Sequence, residues 1–410
     1  MADDRKPKEQ QGLPEGWERV NLEKDVILIT GLRPKGGAVD EGVPSLGGEH
    51  ISEDGRVIFT EQNARYIPEK FFKLMTKGKA EINDILINKD GANTGKVAIL
   101  KAKFYPHIVI NEHLFILRSK SLFEQKYLFY WLFSSFAQIE IKNRVTGSAQ
   151  PGLSSSFIKN FFVLRPPLSE QRKIAEILET VDNAIEKTEK IIEKYKRIKQ
   201  GLMQDLLTKG IDEKGNIRSE KTHKFKNSPL GRIPEEWEVV RLEEVIYFKN
   251  GRSPTFSENG SYPIYGSNGL IGFSNIYQFE GNHLIVGRVG ASGEVHFVSG
   301  KFFASDNCLI GCLLRGKDLN LKYTFLKRFI TQTAQPLITQ SLINSLKIPL
   351  PPLSEQKRIA EILSQIDQTI EKEEKYKEKL ERLKKGLMED LLTGKVRVNK
   401  LVEGENHEMA

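Results

Sequence analysis

The stretch "PPLSEQRKIAEILETVDNAIEKTEKIIEKYKRIKQGLMQDLLT" spans residues 166–208, and a close copy, "PPLSEQKRIAEILSQIDQTIEKEEKYKEKLERLKKGLMEDLLT", spans residues 351–393. The two copies align without a gap. In each copy, apolar residues recur every three or four positions, which is typical of one stripe along an α-helix. Glu, Lys and Arg fill the positions between them. The sequence therefore predicts two long, similar amphipathic helices.

The apolar stripe indicates how these helices pack. We assign the first stripe to Ile174, Ile177, Leu178, Val181, Ile185, Ile191, Tyr195, Ile198, Leu202 and Leu206, and the second to Ile359, Ile362, Leu363, Ile366, Ile370, Tyr376, Leu380, Leu383, Leu387 and Leu391. A long helix with one apolar stripe needs a partner, and the other copy is the nearest one. Because a polar linker follows the first helix and the second block feeds into the second helix, an antiparallel pair needs no long return of the chain. We therefore predict an intramolecular antiparallel coiled coil.

The ends of the helices carry further signals. Prolines 166–167 and 351–352 disfavour helix before them, so Ser169 and Ser354 are predicted to cap the first turns. Gly201 and Gly386 lie near the other ends. Glycine at these positions is compatible either with the close approach of another backbone or with a local kink.

The segments before the two helices also resemble each other. "LPEGWERVNLEK" (13–24) is similar to "IPEEWEVVRLEE" (233–244), "DILINKDGANTGKVAI" (84–99) to "NHLIVGRVGASGEVHF" (282–297), and "SAQPGLSSSFI" (148–158) to "TAQPLITQSLI" (333–343). The middle pair reads as strand, glycine-rich turn and strand. The chain is therefore predicted to be a tandem duplication of the α/β (α+β) class, in which two mixed α/β blocks alternate with two helices about an approximate twofold axis.

The predicted boundaries follow the repeats. They place block one at 1–165, helix one at 166–209, a linker at 210–232, block two at 233–350, helix two at 351–394 and a tail at 395–410.

Composition limits the possible functions. The 410 residues are 39% hydrophobic and 28% charged, with a net charge of +8 that lies mainly outside the two repeated helical segments, in residues 1–165 and 211–350, where it would attract a polyanion. The two cysteines, Cys308 and Cys312, cannot form a disulfide framework, and we interpret them as buried apolar residues. Because no signal peptide or membrane-spanning run is visible, we expect a cytoplasmic protein without a membrane partner.

Motifs for catalysis are weak. "GANTGKV" (91–97) is too short for a phosphate-binding loop and is interpreted as a β-turn, and "GRVGASG" (287–293) opens no helix. The seven histidines are scattered, and no set of nucleophile, base and acid or of metal ligands is evident. We therefore predict a chain that is not an enzyme and holds no metal.

The two "PPLSEQ" helices ending in "GLM-DLLT", the "LPEGWE" and "IPEEWE" block starts, and their alternation resemble the specificity subunit of Type I restriction-modification systems. The resemblance covers nearly the whole chain. It implies that each block is a target recognition domain that reads half of a bipartite site in double-stranded DNA. It also implies that the helices set the half-site spacing and dock two methyltransferase subunits, to which restriction subunits add cleavage. S-adenosylmethionine, ATP and magnesium are then expected on the partner subunits, with no cofactor on this chain.

Candidate DNA-binding residues are polar or basic side chains on predicted loops, because these can reach phosphates or base edges. They are Arg33, Lys35, Lys89, Asn93, Lys96, Arg144, Ser148 and Gln150 in block one, and Arg252, Ser253, Ser267, Asn268, Arg288, Ser292, Gln335 and Gln340 in block two. For each of them a solvated surface role is an equal alternative. Charged residues found in both helices predict the surface for the methyltransferase subunits: Glu176, Glu186, Lys187, Asp205, Glu361, Glu371, Lys372 and Asp390.

Two other functions are compatible with the sequence. A scaffold that dimerises through its helices and binds protein or carbohydrate would have the same helical pattern. A nucleic-acid enzyme that acts alone would need catalytic motifs, and we find none.

Overall fold

The computed structural model describes residues 12–147, 151–289, 294–313 and 338–401. The chain forms two compact units, one of Met1–Thr188 with Tyr376–Ala410 and one of Glu189–Lys375. We call them unit 1 and unit 2, and we call their globular parts head 1 (residues 12–165) and head 2 (residues 233–350). Each unit takes residues from both long helices, whereas the boundaries predicted from the sequence divide the chain strictly in order.

Head 1 is built from short strands and four helices, and it leads into the long helix α5. The strands are β1 (Glu18–Asn21), β2 (Val26–Thr30), β3 (Val43–Leu46), β4 (Tyr66–Ile67), β5 (Ile85–Asn88), β6 (Val97–Ile99), β7 (Val109–Ile110), β8 (Leu114–Ser119), β9 (Val145–Thr146), β10 (Gly152–Leu153) and β11 (Phe162–Arg165). The helices are α1 (Leu22–Asp25), α2 (Glu69–Leu74), α3 (Gln125–Phe133), α4 (Ser135–Lys142) and α5 (Leu168–Leu206).

A hairpin and head 2 follow, and head 2 leads into the long helix α7. The strands are β12 (Phe225–Ser228), β13 (Gly231–Pro234), β14 (Glu238–Arg241), β15 (Ile246–Asn250), β16 (Tyr262–Gly266), β17 (Gly269–Ser274), β18 (Phe279–Glu280), β19 (His283–Gly287), β20 (Val295–Val298), β21 (Lys301–Ala304), β22 (Cys308–Leu313) and β23 (Lys347–Leu350). The helices are α6 (Gln340–Ser345) and α7 (Leu353–Leu392).

Each head contains a four-stranded antiparallel sheet, and the two sheets have the same strand order. This order is β2-β8-β5-β6 in head 1 and β15-β22-β19-β20 in head 2. The register is also the same: Thr30 faces Phe115 across the first strand pair of head 1, and Asn250 faces Leu309 in head 2. The duplication predicted from short sequence matches is therefore a duplication of topology and register.

Each head also contains a second sheet, which includes one pair of parallel strands. β3 runs parallel to β7 in head 1, and β16 runs parallel to β21 in head 2. The strand that follows each parallel pair is the second strand of the four-stranded sheet. The loop from β7 to β8 in head 1, and from β21 to β22 in head 2, is therefore held by one sheet at each end. This loop belongs to the candidate site.

The long helices pack antiparallel within each unit. In unit 1, Ile174 and Leu178 from the start of α5 share a core with Met388 and Leu391 from the end of α7. In unit 2, Leu206 from the end of α5 shares a core with the start of α7. The predicted antiparallel pairing is confirmed.

The buried seam departs from the predicted stripe in the middle of the helices. Ile191 and Ile198 are 40% and 39% exposed, whereas Thr188 and Ile192 are buried. One set of buried and half-buried positions along α5 is spaced alternately by four and three residues: 174, 178, 181, 185, 188, 192, 195, 199, 202 and 206. This alternation is the heptad spacing of a coiled coil.

Polar side chains occupy several seam positions, and one of them is held by an ion pair. Lys384 of α7 is buried in unit 1, where its Nζ lies 2.5 Å from an Asp182 carboxylate oxygen. The hydroxyl of Tyr130 donates to the other oxygen of Asp182 at 2.7 Å, and the Lys384 ammonium lies 4.9 Å from the centre of the Phe133 ring. Helix α3 of head 1 is therefore fastened to both long helices of its unit.

Each unit closes around a buried glutamate in the first turn of a long helix. In unit 2, Glu355 accepts hydrogen bonds from Arg218 Nη2 at 3.1 Å, from Trp237 Nε1 at 3.0 Å and from the backbone N–H of Ile211 at 2.7 Å. In unit 1, Glu170 is held by Arg397, whose Nε donates to it at 3.0 Å. The segment that follows α7 therefore binds the buried glutamate of unit 1, as the linker that follows α5 binds the buried glutamate of unit 2.

At the helix ends, the predicted serine caps are wrong, and one of the two alternatives for the glycines is excluded. The helices begin at Leu168 and Leu353, so Ser169 and Ser354 lie inside the first turn instead of capping it. The backbone N–H of Gln171 donates to the carbonyl of Pro167 at 3.0 Å, and that of Gln356 to the carbonyl of Pro352 at 2.9 Å, because proline fixes the backbone but leaves its carbonyl available. A Cβ built on Gly201 or Gly386 would meet no atom within 4 Å, which excludes close backbone approach at these positions.

Candidate nucleic-acid interface

In each head, several loops converge at one end of the four-stranded sheet. In head 1 they follow β2, follow β3, connect β5 to β6 and precede β8. In head 2 the loops at the equivalent positions follow β15, follow β16, follow β19 and precede β22. Loops carried by a rigid sheet are common places for binding residues.

A glycine at the start of the first loop explains why the loops touch. A Cβ on Gly31 would lie 1.9 Å from the carbonyl oxygen of Asn111, and a Cβ on Gly251 would lie 1.9 Å from that of Ser305. No real side chain tolerates such a distance, so only glycine allows the two backbones to meet. The same contact at the same place in both heads shows that the loop arrangement is duplicated as well.

Cleft 1 is the 340 Å³ depression between the loops of head 1, lined among others by Arg33, Glu49, Arg65 and Glu112. Nη1 of Arg33 donates to the Glu112 carboxylate at 3.1 Å, and Arg33 remains 64% exposed. Lys89 Nζ donates to the Glu112 carbonyl at 3.0 Å. The cleft therefore presents a guanidinium group that a neighbouring carboxylate holds in position.

Cleft 2 is the 470 Å³ depression at the equivalent place in head 2, lined among others by Phe256, Asn268, Ile271 and Asp306. The Ser253 hydroxyl donates to the Asp306 carboxylate at 3.0 Å, and Arg288 Nη1 approaches the Asp306 carbonyl at 3.4 Å. Both clefts therefore contain an acidic residue with the same two contacts. A basic side chain lies at its backbone carbonyl, and a second side chain donates a hydrogen bond to its carboxylate. The identities of the side chains differ.

His50 fixes the loop after β3 in head 1. The backbone N–H of Gly47 donates to Nδ1 of His50 at 2.8 Å, so the proton of the neutral ring is on Nε2, which donates to the carbonyl of Asn63 at 2.9 Å. Burial lowers the pKa of His50 below its ordinary value, although the nearby Glu49 carboxylate acts in the opposite direction. The loop beside cleft 1 therefore depends on an uncharged histidine.

Most described candidates in block one lie on these loops. Arg33 and Lys89 line or support cleft 1, Lys35 is exposed on the first loop, and Asn93 and Lys96 sit in the β5–β6 turn. Asn93 donates to the Gly48 carbonyl at 3.1 Å and Lys96 pairs with Glu53 at 3.0 Å, so both are partly used within the head. "GANTGKV" forms a turn as predicted.

Arg144 is placed differently. Its guanidinium lies 5.2 Å from the centre of the Phe161 ring and donates to the carbonyl of Asn160 at 2.9 Å. It also pairs with Glu140. These contacts give the side chain a role within the head, and its contact with DNA stays a prediction.

The candidates in block two divide in the same way. Ser267 and Asn268 line cleft 2, Ser253 donates to its Asp306, Arg252 is exposed nearby, and Arg288 supports Asp306. Gln340 instead donates to the carbonyl of Phe248 at 2.7 Å and anchors α6. Four candidates, Ser148, Gln150, Ser292 and Gln335, lie outside the described residues.

The charged candidates on the long helices are mostly exposed. Glu176, Lys187, Glu361, Glu371 and Lys372 are exposed on the helix surfaces. Glu186 pairs with Lys101 of head 1 at 2.7 Å. Asp205 and Asp390 pair with lysines at the ends of their helices, Lys209 at 2.8 Å and Lys395 at 3.1 Å. Their role in binding a partner stays a prediction.

Sequence reasoning missed Glu112 and Asp306, the acidic residues at the centre of the two clefts. The available signal was positional: "NEH" and "SDN" occupy the same place before β8 and β22. Among the described residues no group of three or more His, Cys, Asp or Glu side chains is arranged to hold a metal ion. The described part of the chain also contains no helix long and apolar enough to span a bilayer.

Known proteins share both the sequence and the fold. Residues 44–197 and 234–382 match the family described as Type I restriction modification DNA specificity domain. The chain is 31% identical to the Type I restriction enzyme MjaVIII specificity subunit of Methanocaldococcus jannaschii, over 96% of each protein. This chain belongs to the Type I specificity subunits.

Two further comparisons describe this specificity subunit. It is 33% identical to the putative Type I restriction enzyme MjaX specificity subunit of the same organism, over 94% of this chain and 95% of that protein. Its fold is similar to the crystal structure of the S subunit of a Type I restriction-modification system from M. genitalium, with a TM-score of 0.63 at 17% identity, over 94% of this chain and 98% of that one.

Proposed function

We propose that this specificity subunit reads a bipartite sequence in double-stranded DNA, with cleft 1 and its loops on one half-site and cleft 2 and its loops on the other. The observation that carries the proposal is the duplication of the clefts. Strand order, register and the glycine contact are the same in both heads, whereas the exposed side chains differ. A common frame with different loop residues is suited to reading two different half-sites.

In this proposal the long helices serve two purposes. They set the spacing between the half-sites, and their exposed charged residues dock two methyltransferase subunits. The antiparallel packing within each unit supports the first purpose, because a coiled coil of packed helices keeps a fixed length. The recurrence of Glu176 as Glu361 and of Lys187 as Lys372 supports the second, because two copies of one partner need two similar surfaces.

The proposal assigns the chemistry to the partners. The chain acts as a non-catalytic subunit in the cytoplasm. Adenine methylation by the methyltransferase subunits, and cleavage when restriction subunits are added, follow from the bound DNA site. S-adenosylmethionine, ATP and magnesium bind to those partner subunits.

An exchange of one head tests this function. Residues 233–350 are replaced by the corresponding block of a relative with a different target, and the methylated adenines are mapped in cells that express the cognate methyltransferase subunit. We expect one half of the methylated sequence to change while the other half and its methylation are retained. A methylated sequence that is unaltered after the exchange would contradict the proposal, as would methylation by the purified chain alone.

A further inference from the structure

We propose that the pairs Arg33–Glu112 and Ser253–Asp306 are equivalent base-reading positions in the two clefts. Arg33 reads a guanine in the half-site of head 1. Asp306 reads a base whose major-groove edge carries an amino group, adenine or cytosine, in the half-site of head 2. This inference rests on the proposed function and names the residues that give each half-site part of its specificity.

The register establishes the equivalence of the two pairs. Arg33 is the second residue after Gly31 and Ser253 is the second after Gly251, and a proline follows each of them. Glu112 and Asp306 each lie two residues before the first residue of the second sheet strand, β8 or β22. In each pair the first side chain donates to the carboxylate of the second, at 3.1 Å and 3.0 Å.

The charge of cleft 1 favours a base over a phosphate. Its charged lining consists of Arg33 and Arg65 with Glu49 and Glu112, so the formal charges cancel. A phosphate is bound where positive charge is in excess, whereas a carboxylate beside the guanidinium would repel it. A guanine edge offers two neutral acceptors, O6 and N7, which match the fork of an arginine side chain. Glu112 holds that fork in place.

The chemistry of cleft 2 favours an amino group. Asp306 is the charged side chain among the residues that line it, and it is exposed. A carboxylate accepts hydrogen bonds from the amino group N4 of cytosine or N6 of adenine and repels phosphate. Phe256, Ile271 and Val289 give the cleft an apolar wall, 59%, 46% and 48% exposed, which suits the neighbouring base surfaces.

Substitutions at the two positions test the proposal in the complex with the cognate methyltransferase subunit, by mapping methylated sites and measuring binding to single-base variants of the site. For Arg33→Ser and Arg33→Lys we expect a loss of discrimination of about 5- to 150-fold at one base pair of the head 1 half-site. The head 2 half-site is expected to stay unchanged. Lysine keeps the charge but lacks the fork, so it should not restore discrimination. Arg19→Ser is the control, because Arg19 is an exposed arginine of head 1 that stacks on Phe162, outside the cleft.

For head 2 the variant is Asp306→Asn, with Glu280→Gln on β18 as the control. Asparagine keeps an acceptor for adenine but loses the charge that repels carbonyl oxygens, so we expect guanine and thymine, which present carbonyl acceptors, to be discriminated against less strongly at one base pair of the head 2 half-site. The proposal is overturned if Arg33→Ser weakens binding equally for all sequences, if Arg33→Lys keeps full discrimination, or if Asp306→Asn leaves its half-site unchanged. A wild-type complex that methylates without sequence preference would instead overturn the proposed function itself.

Discussion

At the scale of single residues, His50 shows how a buried side chain shapes a loop beside cleft 1. Its ring joins the Gly47 N–H to the Asn63 carbonyl, and it stacks on Phe59 with ring centres 5.2 Å apart. Protonation would place a second N–H against the N–H of Gly47. The lowered pKa of His50 expresses the cost of that charged state in a buried place.

We expect the stability of head 1 to fall as the pH decreases below about 6.5. The unfolded chain binds a proton on His50 near this ordinary pKa, whereas the folded chain does so only at lower pH, so the stabilisation is complete above 6.5 and is lost below it. His50→Gln supplies an acceptor and a donor that do not titrate, and its denaturation midpoint should fall less over this range. His107→Gln, at an exposed histidine of the same head, is the control. An equal fall for wild type and His50→Gln would contradict the prediction.

The sequence predicted the loops of the clefts better than their chemistry. Arg33, Ser253 and Lys89 could be selected because basic and hydroxyl side chains on loops are recognisable donors. Glu112 and Asp306 could not be selected by residue type, because an acidic residue is not expected to face a polyanion; their signal was the shared position before β8 and β22. Only the fold shows that these carboxylates hold the donors in position, since the partners are 79 and 53 residues apart in sequence.

At the scale of elements, the long helices show why the apolar stripe predicted from the sequence differs from the surface that is buried between them. Heptad spacing places Lys199 of α5 and Lys384 of α7 on the seam, although both are charged. The sequence interpretation followed apolar residues and selected Ile198 and Leu383, which are one position away and exposed. Lys384 is accepted on the seam because Asp182 and the rings of head 1 surround it, and this environment is not visible in the helix sequence.

Two leucine substitutions should distinguish positions that are buried between the long helices from positions that were only predicted to be buried. Leu178 is fully buried, and Leu383 is 50% exposed. We expect Leu178→Ala to lower the free energy of unfolding of unit 1 by about 2–5 kcal/mol, because it removes buried methyl groups and leaves a cavity. Leu383→Ala should change it by about 0.5 kcal/mol or less. Chemical denaturation of both variants measures the difference, and equal effects would show that the heptad assignment is wrong.

At the scale of the whole molecule, the distribution of charge separates attraction from recognition. The net charge is +8, of which residues 1–165 carry +4, the linker 210–232 carries +3 and residues 233–350 carry +1. The charges that line cleft 1 cancel, so base contacts there displace few counterions. Phosphate contacts made by exposed lysines and arginines elsewhere on the heads would supply the part of the affinity that does not depend on sequence.

We therefore expect salt to weaken the binding of cognate and scrambled duplexes to a similar degree. Binding of the complex with its methyltransferase subunits is measured between about 50 and 200 mM salt. Both affinities should fall linearly on logarithmic axes, and the ratio between them should change little. A cognate slope much steeper than the scrambled one would mean that the specific contacts are made to phosphates.

The buried glutamate of unit 2 has a practical consequence. The chain has three tryptophans, and Trp237 is the one in unit 2, fully buried with its indole N–H on Glu355. When Trp17 and Trp131 are replaced by phenylalanine, the remaining indole is the single tryptophan, at the junction of linker, head and helix. Its emission, excited at a wavelength that tyrosine does not absorb, then reports the loosening of that junction without a contribution from unit 1.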